Sequence, residues 1–187
     1  YIKMETKVRE LHSRFLLGLV AAERGHSVLI GPAALTSHLA AIGVVKPGIV
    51  HENSIAPGKK RLEQLRAYKR YGFICTSQDE ESGLLEENYS KFARLRFSEE
   101  SISLVKKIFA WGRQDQEGLI TTFPEINDLS KKIALTGSPR VDLWRPDFFG
   151  MYKINKKGPR GRKFVLVVSN FTQVAGINQV WKQILWS

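Results

Sequence analysis

The sequence is short of sulfur, of acidic residues and of long apolar runs, and each shortage excludes a class of protein. Its one cysteine, Cys75, lies in the apolar run Phe73-Ile74-Cys75, so no intrachain disulfide forms and a reducing cytosol is the expected setting. No motif supplies that thiol with a base, and it reads as a core residue rather than a nucleophile. The longest apolar stretches, such as Phe15 to Ala22 and Phe164 to Val168, fall well short of the roughly 20 residues that cross a bilayer, so no spanning helix is expected. Nor is a secretory leader expected, because the chain opens without a basic start, an apolar middle or a small-residue cleavage site. GxGxxG, GxxxxGK[ST] and GxSxG are all missing, which removes a dinucleotide fingerprint, a P-loop and a hydrolase elbow. His12, His26, His38 and His51 have no metal-ligand spacing, and only His51, at a strand end, is a candidate site residue.

The shortage of acids leaves 18 Asp and Glu against 29 Lys and Arg, a formal charge of +11 that draws the protein to polyanions. Much of the excess sits in Lys59 through Arg70 and in Lys153 through Lys163, which read as well as a solvated face and a basic linker as they do as polyanion-binding stretches. The basic helix expected at Lys60 to Tyr71 has aromatics only near its end and belongs to no nucleic-acid-binding motif, so no nucleic acid is expected. Peripheral contact with an anionic membrane fits the charge better.

What the chain does have is alternation. A strand tail at Tyr1 to Met4 and a polar loop at Glu5 to Glu10 precede a helix with Leu11, Phe15, Leu16, Leu19 and Val20 at helical spacing, stopped by Gly25. Ser27 to Gly31 reads as a buried strand, followed by a helix at Ala33 to Ile42, a strand at Gly48 to His51, the basic helix, and a strand at Phe73 to Thr76. Ser98-Glu99-Glu100-Ser101 opens another helix, Lys107 to Gly112 another strand, Gly118 to Phe123 a helix, and Lys132 to Thr136 a strand. This order predicts an α/β fold, a doubly wound Rossmann-like parallel sheet over residues 1–154. The run at 155–163 has a linker's glycines, proline and cations. Residues 164–187 read as the first strand and helix of a second α/β domain that has barely begun, with Val180, Trp181, Ile184, Leu185 and Trp186 on one helix face.

Open α/β sheets bind ligands beyond the carboxyl ends of their strands. The loops expected there are charged: Glu5, Lys7, Arg9 and Glu10; then His51, Glu52, Asn53 and Ser54; then Asp79, Glu80 and Glu81; then Trp111 to Asp115; and finally Gly137, Ser138, Arg140 and Asp142. Any one polar loop can simply solvate the rim of a sheet. Five in register point to a substrate edge. Adjacent carboxylates repel, so at least one of Asp79, Glu80 and Glu81 should hold its proton to higher pH, as a general base for a sugar hydroxyl must. Glu10 and Glu5 compete for that role, although a salt bridge to Arg9 explains them almost as well. The acidic cluster lacks further ligands at a set spacing, so no metal is expected. The turn Gly137-Ser138-Pro139-Arg140 offers backbone amides and a guanidinium to a phosphate.

In this order, Tyr1 to Glu10, Ala22-Glu23-Arg24-Gly25-His26, Asp79-Glu80-Glu81-Ser82-Gly83-Leu84, Phe109-Ala110-Trp111-Gly112 and Thr136 to Asp142 resemble the surface carbohydrate biosynthesis proteins. That family looks like glycosyltransferases of the two-Rossmann-domain (GT-B) type, and this chain resembles its amino-terminal, acceptor-side domain. The resemblance implies transfer of a sugar from a nucleotide sugar to a lipopolysaccharide or capsule glycan, or to a lipid-linked acceptor, in the cytoplasm or at the inner membrane face. It implies no covalently bound cofactor, and a nucleotide held mostly by the carboxyl domain, so this length of chain alone is expected to be inactive. Ser82 departs from the family's pattern, which has glycine there. On this reading Asp79, Glu80, Glu81 or Glu10 serves catalysis, while Glu5, Arg9, His51, Glu52, Asn53, Trp111, Gly137, Ser138, Arg140 and Asp142 bind substrate. A sugar-nucleotide epimerase, a glycerol-phosphate polymerase, or a non-catalytic basic module are the alternatives.

Overall fold

The computed structural model describes residues 1–32, 35, 38, 39, 42–80 and 89–151. Most of the helix expected at 33–42, the linker at 155–163, the second-domain segment at 164–187 and the candidate Glu81 lie outside the described residues.

Six parallel strands form one sheet in the order β2-β1-β3-β4-β5-β6. They are β1 (Ile2–Lys3), β2 (Ile30–Gly31), β3 (Ile49–Glu52), β4 (Ile74–Ser77), β5 (Lys107–Ala110) and β6 (Ile133–Leu135). The helices are α1 (Lys7–Glu23), α2 (Lys59–Arg70), α3 (Tyr89–Arg96), α4 (Glu99–Leu104), α5 (Arg113–Thr122), α6 (Leu129–Lys132) and α7 (Pro139–Asp142), with a 3-10 turn at Pro146–Met151. This is a Rossmann-like α/β architecture. Among the described residues no helix is long and apolar enough to cross a membrane.

The chain runs from β1 to β2 at one edge, then returns past β1 to β3 and continues in one direction. Right-handed crossovers therefore set α1 on one face of the sheet and α2 to α6 on the other, and after the last strand α7 returns to the α1 face. The packing agrees. Val50, Cys75, Ile108, Ala110 and Ile133 point to the second face, where they meet Leu65 and Tyr68 of α2, Ala93 of α3, Ile102 of α4 and Leu119 of α5. Leu65 and Ile102 are fully buried, and truncating either to alanine should cost about 2–5 kcal/mol. The alternate residues His51, Thr76 and Phe109 point to the α1 face, as the two-residue period of a strand requires.

Helix α1 departs from the sequence expectation in two ways. It begins at Lys7 rather than after Glu10, because the Glu10 carboxylate accepts from the backbone N–H groups of Glu5 (2.8 Å) and Thr6 (3.3 Å) and so satisfies the helix's opening donors. Its buried stripe is Glu10, Ser13, Arg14 and Gly18, whereas Phe15 and Leu19 are about half exposed. Gly18 brings α1 close to β2: a Cβ there would lie 3.1 Å from Ile30 Cδ1 and 3.3 Å from Val28 Cγ1. At its other end Gly25, with φ +86°, stops the helix where the sequence indicates.

Ser98 caps α4 in a reciprocal box with Ser101, as the Ser-Glu-Glu-Ser run predicts. Helix α5 starts five residues earlier than expected because Asp115, in its first turn, accepts the Trp111 backbone N–H at 3.1 Å. Helix α3, absent from the sequence reading, has Tyr89, Phe92 and Ala93 at helical spacing and buries the latter two.

Candidate functional site

The switch point of this strand order lies between the carboxyl ends of β1 and β3, where open α/β sheets place their ligands. Ionic side chains fill it. Lys3, buried on β1, holds Glu5 at 2.7 Å and Glu52, at the end of β3, at 3.1 Å. Arg61 of α2 bridges the same two carboxylates, at 3.2 Å and 3.0 Å. Burial pushes Glu5 upward, but the hydrogen bond and charge of Lys3, with Asn53 and Arg61, outweigh it and bring its pKa to about 2. Glu5 is therefore an anionic anchor, and Glu52 shares both of its cations.

The candidate bases separate by their contacts. Glu10 is fully buried, and besides the two backbone donors it accepts from Arg9 at 2.9 Å. Asp79 takes a two-pronged contact from Arg96, at 2.8 and 3.1 Å, while its backbone carbonyl accepts the Trp111 ring N–H at 2.9 Å. Both groups are engaged in holding structure. Glu80 differs. Its Oε1 lies 2.5 Å from Arg14 Nη2, an ion pair without the alignment of a hydrogen bond, and its Oε2 lies 3.8 Å from Arg140 Nη1 with no hydrogen bond. Burial raises its pKa, Arg14 and Arg140 oppose that rise, and nearby Glu10 adds to it.

The loop after β6 joins the loop after β4. Gln78 donates to the Gly137 carbonyl across the intervening strand, Gly137 takes the left-handed conformation at φ +73°, and Ser138 caps α7 by accepting the Arg140 N–H at 3.3 Å. Arg140 then donates to the Glu80 carbonyl at 3.3 Å. Asp142 lines a cavity of about 1200 Å³ on the α1 face, together with His51, Phe109 and Gly137. Burial, reinforced by the charge of Arg14, lowers the His51 pKa to about 3. Thr76 Oγ1 is within 3.5 Å of the Val50 carbonyl and donates to it, leaving its oxygen to accept from His51 Nδ1 at 3.0 Å. The imidazole is thus neutral with its lone pair on Nε2.

Among the described residues, seven buried side-chain atoms have no hydrogen-bond partner: Nε and Nη2 of Arg14, His51 Nε2, Glu52 Oε1, Asn53 Oδ1, Ser77 Oγ and Glu80 Oε2. All belong to β3, β4, their following loops, or the α1 residue facing them. Arg14 Nη2 is ion-paired with Glu80, but leaving each of the others unpaired costs about 1–3 kcal/mol, so a protein does not concentrate them in one place for stability. They suit a polar ligand supplied from outside the chain.

The sequence candidates Glu5, Arg9, Glu10, His51, Glu52, Asn53, Asp79, Glu80 and Arg140 thus cluster around one sheet edge. Trp111 positions the Asp79 loop, and Ser138 and Gly137 shape the turn that carries Arg140. The sequence reading did not single out Lys3, Arg14, Arg61, Ser77 or Arg96. No sequence signal marks Arg14, because it lies beside the apolar stripe of Leu11, Phe15 and Leu19 rather than on it. Among the described residues no group of three His, Cys, Asp or Glu could hold a metal ion. No family model, no curated protein and no solved structure matches the chain.

Proposed function

We propose that this domain binds the acceptor of a sugar transfer, with Glu80 as the general base, in a GT-B-type glycosyltransferase of surface polysaccharide synthesis. The observation that carries the reading is the set of unpaired buried polar atoms around Glu80 at the switch edge. A sugar ring presents many hydroxyls, each both donor and acceptor, and these are the partners such atoms require. In the proposed step Glu80 Oε2 takes the proton of an acceptor hydroxyl, whose oxygen bonds to the anomeric carbon of a nucleotide sugar as the bond to the diphosphate breaks. Burial favours this proton transfer because it raises the carboxylate's proton affinity. Arg140, and Arg9 near the start of α1, supply cationic charge for the anionic groups of the substrates.

The test is transfer of radiolabelled sugar from a panel of nucleotide sugars to glycan and lipid-linked acceptors, using the full-length protein and its Glu80→Gln variant. Acceptor-dependent transfer should fall by about 10²-fold or more in the variant, with acceptor binding retained. Conversion of the nucleotide sugar without acceptor would mark an epimerase instead. Wild-type transfer by Glu80→Gln, checked for folding by circular dichroism, would remove Glu80 from the mechanism.

A further inference from the structure

The carboxyl edge of the sheet pairs its inner cations with carboxylates, whereas, among the described residues, most cations of the amino edge have no carboxylate against them. At the carboxyl edge Lys3, Arg14, Arg61, Arg96 and Arg140 all lie against Glu5, Glu52, Asp79 or Glu80. In a parallel sheet every segment that leads into a strand comes to the opposite edge. Arg24 closes α1 ahead of β2, and Lys46 precedes β3. Lys69 and Arg70 end α2 just before β4. Lys106 and Lys107 open β5, and Lys131 and Lys132 lead into β6. Against these eight cations the same segments carry Glu23, Glu99, Glu100, Glu125 and Asp128; Glu100 is already paired with Arg66 and Asp128 with Lys131 at 2.8 Å, while Lys107 and Lys132 also donate to the backbone carbonyls of Lys131 and Ile102. The cations of different connections converge: burial lowers the Lys132 pKa, and the charges of Lys106 and Lys69 lower it further.

Apolar side chains stand exposed between them. Val44 is 66% exposed, Ile42 57%, Ile49 55% and Ile74 50%, with Tyr71 beside them at 41%. Ile49 and Ile74 are register partners at the starts of β3 and β4, so they form one patch rather than scattered residues. The cavity on the α1 face is also lined at this end by Arg24, Lys46 and Ile49.

We propose that the amino-terminal edge of the sheet docks on an anionic lipid bilayer, its cations meeting the headgroups and the Val44, Ile49 and Ile74 patch entering the interface. Exposed apolar groups ringed by lysine and arginine are the composition that interfacial binding selects. A second copy of the chain would set like charges against each other, and single-stranded nucleic acid would need stacking aromatics, of which the described residues at this edge expose Tyr71 alone. The proposal does not rest on the sugar-transfer reading.

Helix α2 provides a matched test, because it carries a pair of exposed cations at each end, Lys59 and Lys60 at the carboxyl edge and Lys69 and Arg70 at the amino edge. The full chain is sedimented with vesicles of phosphatidylcholine, alone or mixed with phosphatidylglycerol, and thermal melts verify folding. The chain should bind the mixed vesicles and not the neutral ones. Lys69→Glu with Arg70→Glu should weaken that binding by about tenfold or more, and Lys59→Glu with Lys60→Glu, the same change in charge, by about threefold or less. Val44→Ser should weaken binding at high salt, where the ionic part is screened. The proposal fails if neutral vesicles bind equally, if both double variants lose binding alike, if the chain pellets by itself, or if single-stranded DNA binds with the same dependence on Lys69 and Arg70.

Discussion

Arg14 and Glu80 bury opposite charges against each other: Nη2 and Oε1 are 2.5 Å apart, and the two side chains are only 1% and 8% exposed. Deleting either partner strands the other's charge. Arg14→Met and Glu80→Ala should each lower the unfolding free energy by about 3–5 kcal/mol in urea titrations. The double variant should fall well short of the sum, with a coupling of about 1–3 kcal/mol. Strict additivity would mean that the pair does not interact in solution.

His51 should make the fold acid-sensitive. Its pKa is near 6.5 when unfolded and about 3 when folded, so the unfolded state binds the extra proton in between, and stability is lost as pH falls through that window. Glu5, held to about 2, contributes in the same direction, but only below its ordinary value of 4.5. Glu80 acts oppositely. Its raised folded pKa means that stability declines as pH rises above 4.5. Comparing wild type with His51→Gln between pH 6.5 and 4.5 isolates the imidazole, and the variant should lose less stability on acidification. Parallel pH curves would show that His51 charges freely in the folded protein.

The strand and helix order was legible because it rests on local pattern: short apolar runs at the strands, the Ser98 cap, and the Gly25 stop. The charged strand ends were legible too, since a parallel sheet brings them to one edge whatever its details. Their pairing was not. Arg61 and Glu5 are 56 residues apart, and Arg14 meets Glu80 only after α1 has been laid across the sheet. No periodicity encodes such contacts. For the same reason Leu11, Phe15 and Leu19 looked like the buried face of α1, although the network at the strand ends takes Glu10 and Arg14 instead. Helix α3 was missed for a different reason: its Tyr89, Phe92, Ala93 spacing is regular but spans only eight residues, rich in arginine and lysine.

Gly118, inside α5, is occupied from outside the helix. A Cβ built there would overlap the ring of Tyr89, whose hydroxyl donates to the Asp115 side chain and approaches the Asp115 carbonyl at 3.0 Å. Alanine is the better helix former by about 1 kcal/mol, so propensity alone predicts that Gly118→Ala stabilises. The overlap should win, because the hydroxyl contacts anchor the ring, and overpacking costs about 1–3 kcal/mol. A lower melting temperature is expected, with partial recovery when Tyr89→Leu is added. A higher one would show that the ring moves aside freely.

Asp79 and Glu80 are adjacent in sequence but should answer to different measurements. Arg96 grips Asp79 with two hydrogen bonds, and the Trp111 ring N–H holds its carbonyl, so its carboxylate has little freedom to take a proton from a substrate. Asp79→Asn keeps the shape and loses the charge-assisted contacts, which should cost about 1.5–3 kcal/mol of stability. Rates of sugar transfer, taken at a temperature where both variants are fully folded, should stay within about threefold of wild type for Asp79→Asn and collapse for Glu80→Gln. If Asp79→Asn collapsed and Glu80→Gln did not, the base would be Asp79 and the Arg96 contact would have to open during the reaction. That opening would have its own signature, because Arg96→Lys, unable to form the two-pronged contact, would then raise the rate.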